Sequence, residues 1–145
     1  MNIKQISIFV ENKNGRLAEI TEILAKAGTN IRALSIADTT DFVILRLIVD
    51  KPIEAATILK DAGIPVSVTD VIAIGIQDVP GAFAGPMRIL SDAGIDVEYM
   101  YAFITRKGEI AYVILRVADN AAAAKVLMDN NVEILDEEGF HSLMS

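Results

Sequence analysis

The feature that most constrains this chain is that it is written twice. "ENKNGRLAEITEILAKAG" (residues 11 to 28) closes a run of alternating apolar residues and opens an amphipathic pattern, and "QDVPGAFAGPMRILSDAG" (77 to 94) does the same 66 residues later. At that offset Ile6 meets Ile72, Ile8 meets Ile74, Gly15 meets Gly81, Ile23 meets Ile89, Leu24 meets Leu90, and Ala27-Gly28 meets Ala93-Gly94. "FVILRLIVD" (42 to 50) matches "YVILRVAD" (112 to 119) only when the offset grows to about 70, which predicts a loop insertion in the second copy. A repeat of this length is one supersecondary unit used twice. The domain expectation is therefore a first unit over 1–69 and a second over 70–145.

Each unit reads as strand, helix, strand, strand, helix, strand. "IKQISIFV" alternates and is rich in Ile, Val and Phe, as a half-buried strand is. Leu17, Ile20, Leu24 and Ala27, with Ile23 beside them, then fall on one side of a helix opposite Glu19, Glu22 and Lys26, and Gly28 ends it. "NIRALSIAD" and "DFVILRLIVD" are strands, 52–63 is a second helix with Pro52 in its first turn, and "IPVSV" is a fourth strand. The second unit repeats this from "VIAIGIQ" (71–77) to a short strand at 132–135, with Asn130-Asn131 where Gly63 stood. Pro86 places the start of its first regular helix at Gly85-Pro86, after a looser turn over 81–84. This order describes an α+β, ferredoxin-like βαββαβ unit, an antiparallel sheet with both helices on one face. In "FVILRLIV" both alternating faces are apolar apart from Arg46, so the other face needs cover, from the sister repeat or another copy of the chain. For Arg46 and Arg116, at matching positions, the favoured reading is a stem packed on the sheet and a head on a carboxylate; a ligand-binding cation is the alternative.

A formal charge of -7 disfavours nucleic acid and anionic membrane surfaces as partners. No apolar run approaches the roughly eighteen residues of a membrane span, and the start carries none of a signal peptide's marks, so a cytoplasmic protein is expected. With no cysteine and one histidine, His141, neither a metal cluster, a thiolate nor a Ser-His-Asp set can be assembled in one chain, and neither cofactor nor metal is expected. An RNA-binding sheet fails for want of its aromatic pair and basic flanks. An acylphosphatase-like hydrolase would find Arg16 but no glycine-rich phosphate cradle.

A glycine between strand and helix lets the backbone approach a bound group, and the first free helix amides point at an anion there. A zwitterionic amino acid suits such a turn, its carboxylate on the amides of Gly15 to Leu17 and its ammonium on Asn12. Helix capping alone is the competing reading. At these residues the chain resembles the ACT domain family, on the turn pattern "DVPG" (78–81), on its variant "NKNG" (12–15), and on "LAEITEILAKAGTNIRAL" (17–34) and "ILSDAGIDVEYMYAF" (89–103). The resemblance implies a tandem ACT protein that binds a small amino acid without catalysis and regulates an amino-acid biosynthetic enzyme. It implies modules paired side by side, often merging two four-stranded sheets into one of eight, and a homodimer. Carried over, the first site would use Asn12, Asn14, Gly15, Arg16 and Leu17, and the second Asp78, Pro80, Gly81, Ala82 and Phe83. Asn30 and Ile31, or Asp96 and Val97, would contribute across the seam, and Met100-Tyr101 would shape a side-chain pocket. A pure interaction module, with the turns as caps, is the remaining alternative.

Overall fold

The computed structural model describes residues 2–11, 14–39, 41–104 and 109–144. Residues 105–108 lie outside the described residues. The chain divides into two compact units, a first of Lys4–Thr69 and a second of Met1–Ile3 with Asp70–Ser145.

The first unit holds β1 (Ile3–Glu11), α1 (Arg16–Lys26), β2 (Ile31–Asp38), β3 (Phe42–Val49), α2 (Pro52–Asp61) and the start of β4 (Val66–Gln77). Its β1 pairs antiparallel with β3, and β3 with β2. Ile6, Ile8 and Val10 of β1, with Leu45, Leu47 and Val49 of β3, meet Ile20 and Leu24 of α1 and Leu59 of α2 in one buried core. Leu17, expected on that packing face, is 38% exposed. A helical side chain covers the turn before its own Cα, and for a residue in the first turn no helix lies there.

The second unit continues β4 into α3 (Ala84–Asp92), β5 (Val97–Ile104), β6 (Ile110–Val117), α4 (Asn120–Asp129), β7 (Glu133–Leu135) and α5 (Glu137–Met144). Here β6 lies between β5 and β4, and β7 pairs with the other side of β4, all antiparallel. The core again joins one face of the sheet, Ile72, Ile74, Val113 and Leu115, to Leu90 of α3 and Leu127 of α4. Asn131, at φ 64, ends α4 as Gly28, at φ 73, ends α1. In both, the next amide returns to a carbonyl five residues back, Val132 to Leu127 and Thr29 to Leu24, each at 3.0 Å.

Three features depart from the sequence reading. "IPVSV" and "VIAIGIQ", expected as two strands, form the single β4, because "TD" between them carries neither Gly nor Pro to break it. The described residues thus form seven strands, not eight. α3 begins at Ala84, one residue earlier than predicted, since Pro86 then falls in the first turn, where no backbone donor is needed. The third is α5, absent from the reading of the tail. Phe140 is 1% exposed, and its ring meets Phe103 edge-on at 5.6 Å, while Phe103 stacks on Tyr112 at 5.9 Å. Phe103 and Tyr112 are register partners on the face away from α3 and α4, so the chain's own C-terminal helix covers that face of the second unit. Asp136 caps α5, accepting from the Gly139 amide at 2.6 Å.

Two outcomes are expected. Phe140→Ala lowers the second unit's stability by about 3 kcal/mol in urea unfolding, the usual cost of an emptied aromatic core position. Burial, and then the Glu133 carboxylate, raise the Tyr112 phenol above its ordinary 10.0. The folded state therefore favours the neutral phenol, so its contribution is complete below pH 10 and is lost as pH rises further. Tyr112→Phe flattens that alkaline decline.

Candidate functional site

The repeated turns share one backbone conformation. Gly15 sits at φ 87 and Gly81 at φ 85, each leading from a strand towards a helix, and a Cβ built on either meets nothing within 4 Å. The glycines are therefore required by the left-handed backbone and not by crowding. Beyond Gly15 the chain enters α1 directly, and the Glu19 amide bonds the Gly15 carbonyl at 3.0 Å, so the amides of Arg16 to Ala18 precede the first intrahelical bond. Beyond Gly81 the amides of Ala82 and Ala84 fold back on Val79 and Gly81, so α3 starts two residues later in the repeat than α1 does.

The side chains around the two turns diverge. Asn14 is exposed, and Arg16, at the start of α1, places Nη1 3.1 Å from Glu19 Oε2. At the matching positions of the second turn stand Pro80 and Ala82, both without charge. Asp78, Pro80, Gly81 and Phe83 are exposed, and Ala82 is half-buried. Asp78 donates its amide to the Glu109 carbonyl at 3.0 Å. Asn12, the predicted partner of an ammonium group, lies outside the described residues.

Strand register decides which predicted residues share a locality. β1 ends with Glu11 opposite Phe42, and β2 begins with Ile31 opposite Val49. The glycine turn is thus at one end of the sheet and Asn30-Ile31 at the other, about 23 Å apart for seven extended residues. Asn30 is occupied there, exchanging backbone and side-chain hydrogen bonds with Asp50 at 3.0 to 3.2 Å. Asp96 and Val97 stand likewise at the Val117 end of the second sheet, away from Asp78 to Phe83. No unit brings its own turn and its own second strand together. Met100 and Tyr101 point to opposite faces of β5, Met100 with the helices and 44% exposed, so they cannot wall one pocket.

Arg116 takes the structural role: Nε lies 3.3 Å from Glu98 Oε2, and Nη1 donates to the Asp70 carbonyl at 3.1 Å. His141 faces Glu137 across one turn of α5 at 3.9 Å. Among the described residues no group of three or more His, Asp or Glu could hold a metal ion, and no helix is long and apolar enough to cross a membrane.

Sequence reasoning missed a cleft of about 200 Å³ beside the first turn, where Phe9, Glu11, Arg16, Phe42 and Pro65 converge. The available signal was aromatic residues at strand ends, next to polar turns.

Two matching turns, on two matching βαββαβ frames, invite comparison with known proteins. A family model for the ACT domain pair matches residues 1–144. The chain is an ACT domain pair. Protein BT0572 of Bacteroides thetaiotaomicron is 44% identical, with 93% of this chain and 92% of that one covered and a TM-score of 0.87. The ligand-free regulatory subunit of aspartate kinase from Thermus thermophilus shares the fold at 18% identity, covering 87% of this chain and 91% of that one with a TM-score of 0.62. The corresponding subunit from Thermus flavus does so at 16%, with 89% and 92% covered and a TM-score of 0.63. No curated protein matches the sequence significantly. ACT pairs form a regulatory domain family.

The conformational requirement is testable. Gly15→Ala forces a Cβ into the left-handed region and is expected to cost about 1 kcal/mol in denaturant unfolding. Gly85→Ala in α3, with ordinary φ and open space around it, is expected to be neutral or to stabilise by up to about 1 kcal/mol.

Proposed function

We propose that this ACT pair binds a small free amino acid without catalysing its conversion, and acts in the cytoplasm as a metabolic sensor or regulatory partner of an amino-acid biosynthetic enzyme. The observation that carries this reading is the duplicated turn, with its left-handed glycine in both copies and, behind Gly15, first-turn amides that precede the first intrahelical bond. Such amides stabilise a carboxylate. The regulatory subunits of aspartate kinase among the structural relatives suggest the class of enzyme served. We assign residues 1–69 and 70–145 to the two modules.

The separation of Gly15 from Asn30-Ile31 within a module supports a site completed by another module. The strand edges suit that pairing. On the helix side of β2, Leu34 and Ile36 are 56% and 52% exposed, and Met100 occupies Leu34's place on β5. Pairing of these edges between two chains would bury those side chains and join four-stranded sheets into one of eight, giving a homodimer. The first site would use Asn12, Asn14 and the amides of Gly15 to Leu17, and the second Asp78 and Pro80 to Phe83. Asn30-Ile31 and Asp96-Val97 would reach across the seam. A ligand touching both sides would favour the paired state by its differential affinity.

The test is thermal unfolding of the full chain with each of the twenty amino acids at millimolar concentration. One or two should raise the midpoint, by about 2.7 kcal/mol of stabilisation at a hundredfold excess over Kd. Leu34→Glu should convert a sedimenting dimer to monomer. No shift with any amino acid would sink the sensor reading and leave an interaction module.

A further inference from the structure

We propose that Asn14-Gly15 is a site of self-modification, at which the backbone converts the Asn14 carboxamide into a carboxylate at the entrance of α1. The chemistry needs only water. The Gly15 nitrogen forms a bond to Asn14 Cγ, the Cγ–Nδ2 bond breaks, and the proton of the Gly15 amide leaves with Nδ2 as ammonia. Water then opens the cyclic imide at either carbonyl, its hydroxyl going to carbon and its remaining proton to nitrogen. Opening at Cγ leaves aspartate, and opening at the backbone carbonyl leaves isoaspartate.

Of the asparagines in the chain, Asn14 alone precedes glycine. A side chain on the following residue crowds the nitrogen that must attack, and glycine has none. Asn14 is exposed, and a Cβ built on Gly15 meets nothing within 4 Å, so the ring has room to form. Among the described residues none hydrogen-bonds to the Asn14 side chain or to the Gly15 amide. Closure also spares the helix. It removes the Gly15 N–H, but Gly15 is the N-cap of α1 and its carbonyl still accepts from the Glu19 amide at 3.0 Å.

The other described asparagines are held against the same reaction. Asn120 gives Nδ2 to Asn2 Oδ1 at 3.2 Å and to the Asp70 carbonyl at 3.1 Å, and Asn130 gives Nδ2 to the Val126 carbonyl at 2.8 Å. The nitrogen that would attack Asn130 belongs to Asn131 and donates to the Met128 carbonyl at 3.0 Å; the one that would attack Asn131 belongs to Val132 and donates to Leu127 at 3.0 Å. Asn2 and Asn30 are each followed by isoleucine, whose branched Cβ crowds the nitrogen. The second module has Pro80 before Gly81, and proline carries no carboxamide to convert.

The position also favours the reaction electrostatically. Negative charge develops on the Asn14 side-chain oxygen as the nitrogen attacks, and the product is a carboxylate. Both arise at the positive end of α1, just before amides that precede the first intrahelical bond. On the function proposed above, a ligand's carboxylate would use that same end, so a converted Asn14 would compete with it. Conversion would then retire the first turn and leave the second unchanged, a consequence that rests on that reading.

Peptide mapping by mass spectrometry, on the full chain incubated folded at mildly alkaline pH, tests the site. Asn14 should convert several times faster than any other asparagine, with isoaspartate among the products and a shift of the intact chain to later elution from an anion exchanger. Asn14→Gln, which would have to close a larger ring, should lose the shift. Conversion spread evenly over the asparagines, or arising at Asn14 only when the chain is unfolded in urea, overturns the proposal. Asn14→Asp isolates the consequence: in thermal unfolding with each of the twenty amino acids, it should lose any midpoint shift that the unconverted chain shows. A shift retained in Asn14→Asp overturns the competition, whereas no shift in either chain overturns the amino-acid reading and leaves the mapped conversion standing.

Discussion

Two helices laid on a small antiparallel sheet shield one of its faces, so the central strands here have an inner side satisfied by helices and an outer side that needs another partner. The inner side is solved identically in both modules. Ile6 and Ile8 beneath Leu24 reappear as Ile72 and Ile74 beneath Leu90, at one offset and with near-complete burial. The outer side is solved differently. In the second module α5 lies on it, with Phe140 against Phe103 and Tyr112. In the first, Phe9 and Phe42 remain half-exposed at the end of that face, next to the glycine turn.

The helix side of each sheet carries a related consequence. Two helices do not reach the outermost strand, so Leu34 and Ile36 of β2 and Met100 of β5 stand clear of them. Apolar side chains on an edge strand, beside unpaired backbone groups, are a liability for a monomer. Repetition of the feature at the same place in both modules makes an accidental origin harder to hold, and it places the exposed strip where register puts Asn30-Ile31 and Asp96-Val97. The turn residues and the second-strand residues are separated in one module by the length of the sheet.

Much of this was legible in the sequence because the repeat supplied an internal alignment. Leu24 with Leu90 and Gly28 with Gly94 fixed the helices, and Asn131 took the left-handed conformation expected of its position. What escaped notice lacked either a partner copy or a break signal. "EEGFHSLM" has no counterpart in the first unit, and eight residues are too few for helical periodicity to speak clearly. β4 was divided because the duplication suggested a boundary where the backbone has none. The cleft was invisible for another reason: Phe9, Phe42 and Pro65 are distant in sequence, and only the register of β1 with β3 and the return from α2 bring them together. Leu17 was misread as core because periodicity cannot say where a helix overhangs its sheet.

Positions where the two modules differ complete the reasoning. Core positions exchange one aliphatic residue for another, since any change of volume there is felt throughout the packing. Around the turn the exchanges are of another kind: Glu11 against Gln77, Arg16 against Ala82, Asn14 against Pro80. None of these changes the φ of the glycine, and each changes what the turn can hold. The backbone device is therefore retained in both modules while its electrostatic surroundings are free to diverge. Pro80 and the delayed start of α3 also remove the regular first turn that would present amides to an anion, as the amides of Ala82 and Ala84 are already committed to Val79 and Gly81. In the first module α1 begins directly at Arg16, so the amides of Arg16 to Ala18 precede its first intrahelical bond. A chain built this way has two copies of a frame with unequal surroundings at the turn.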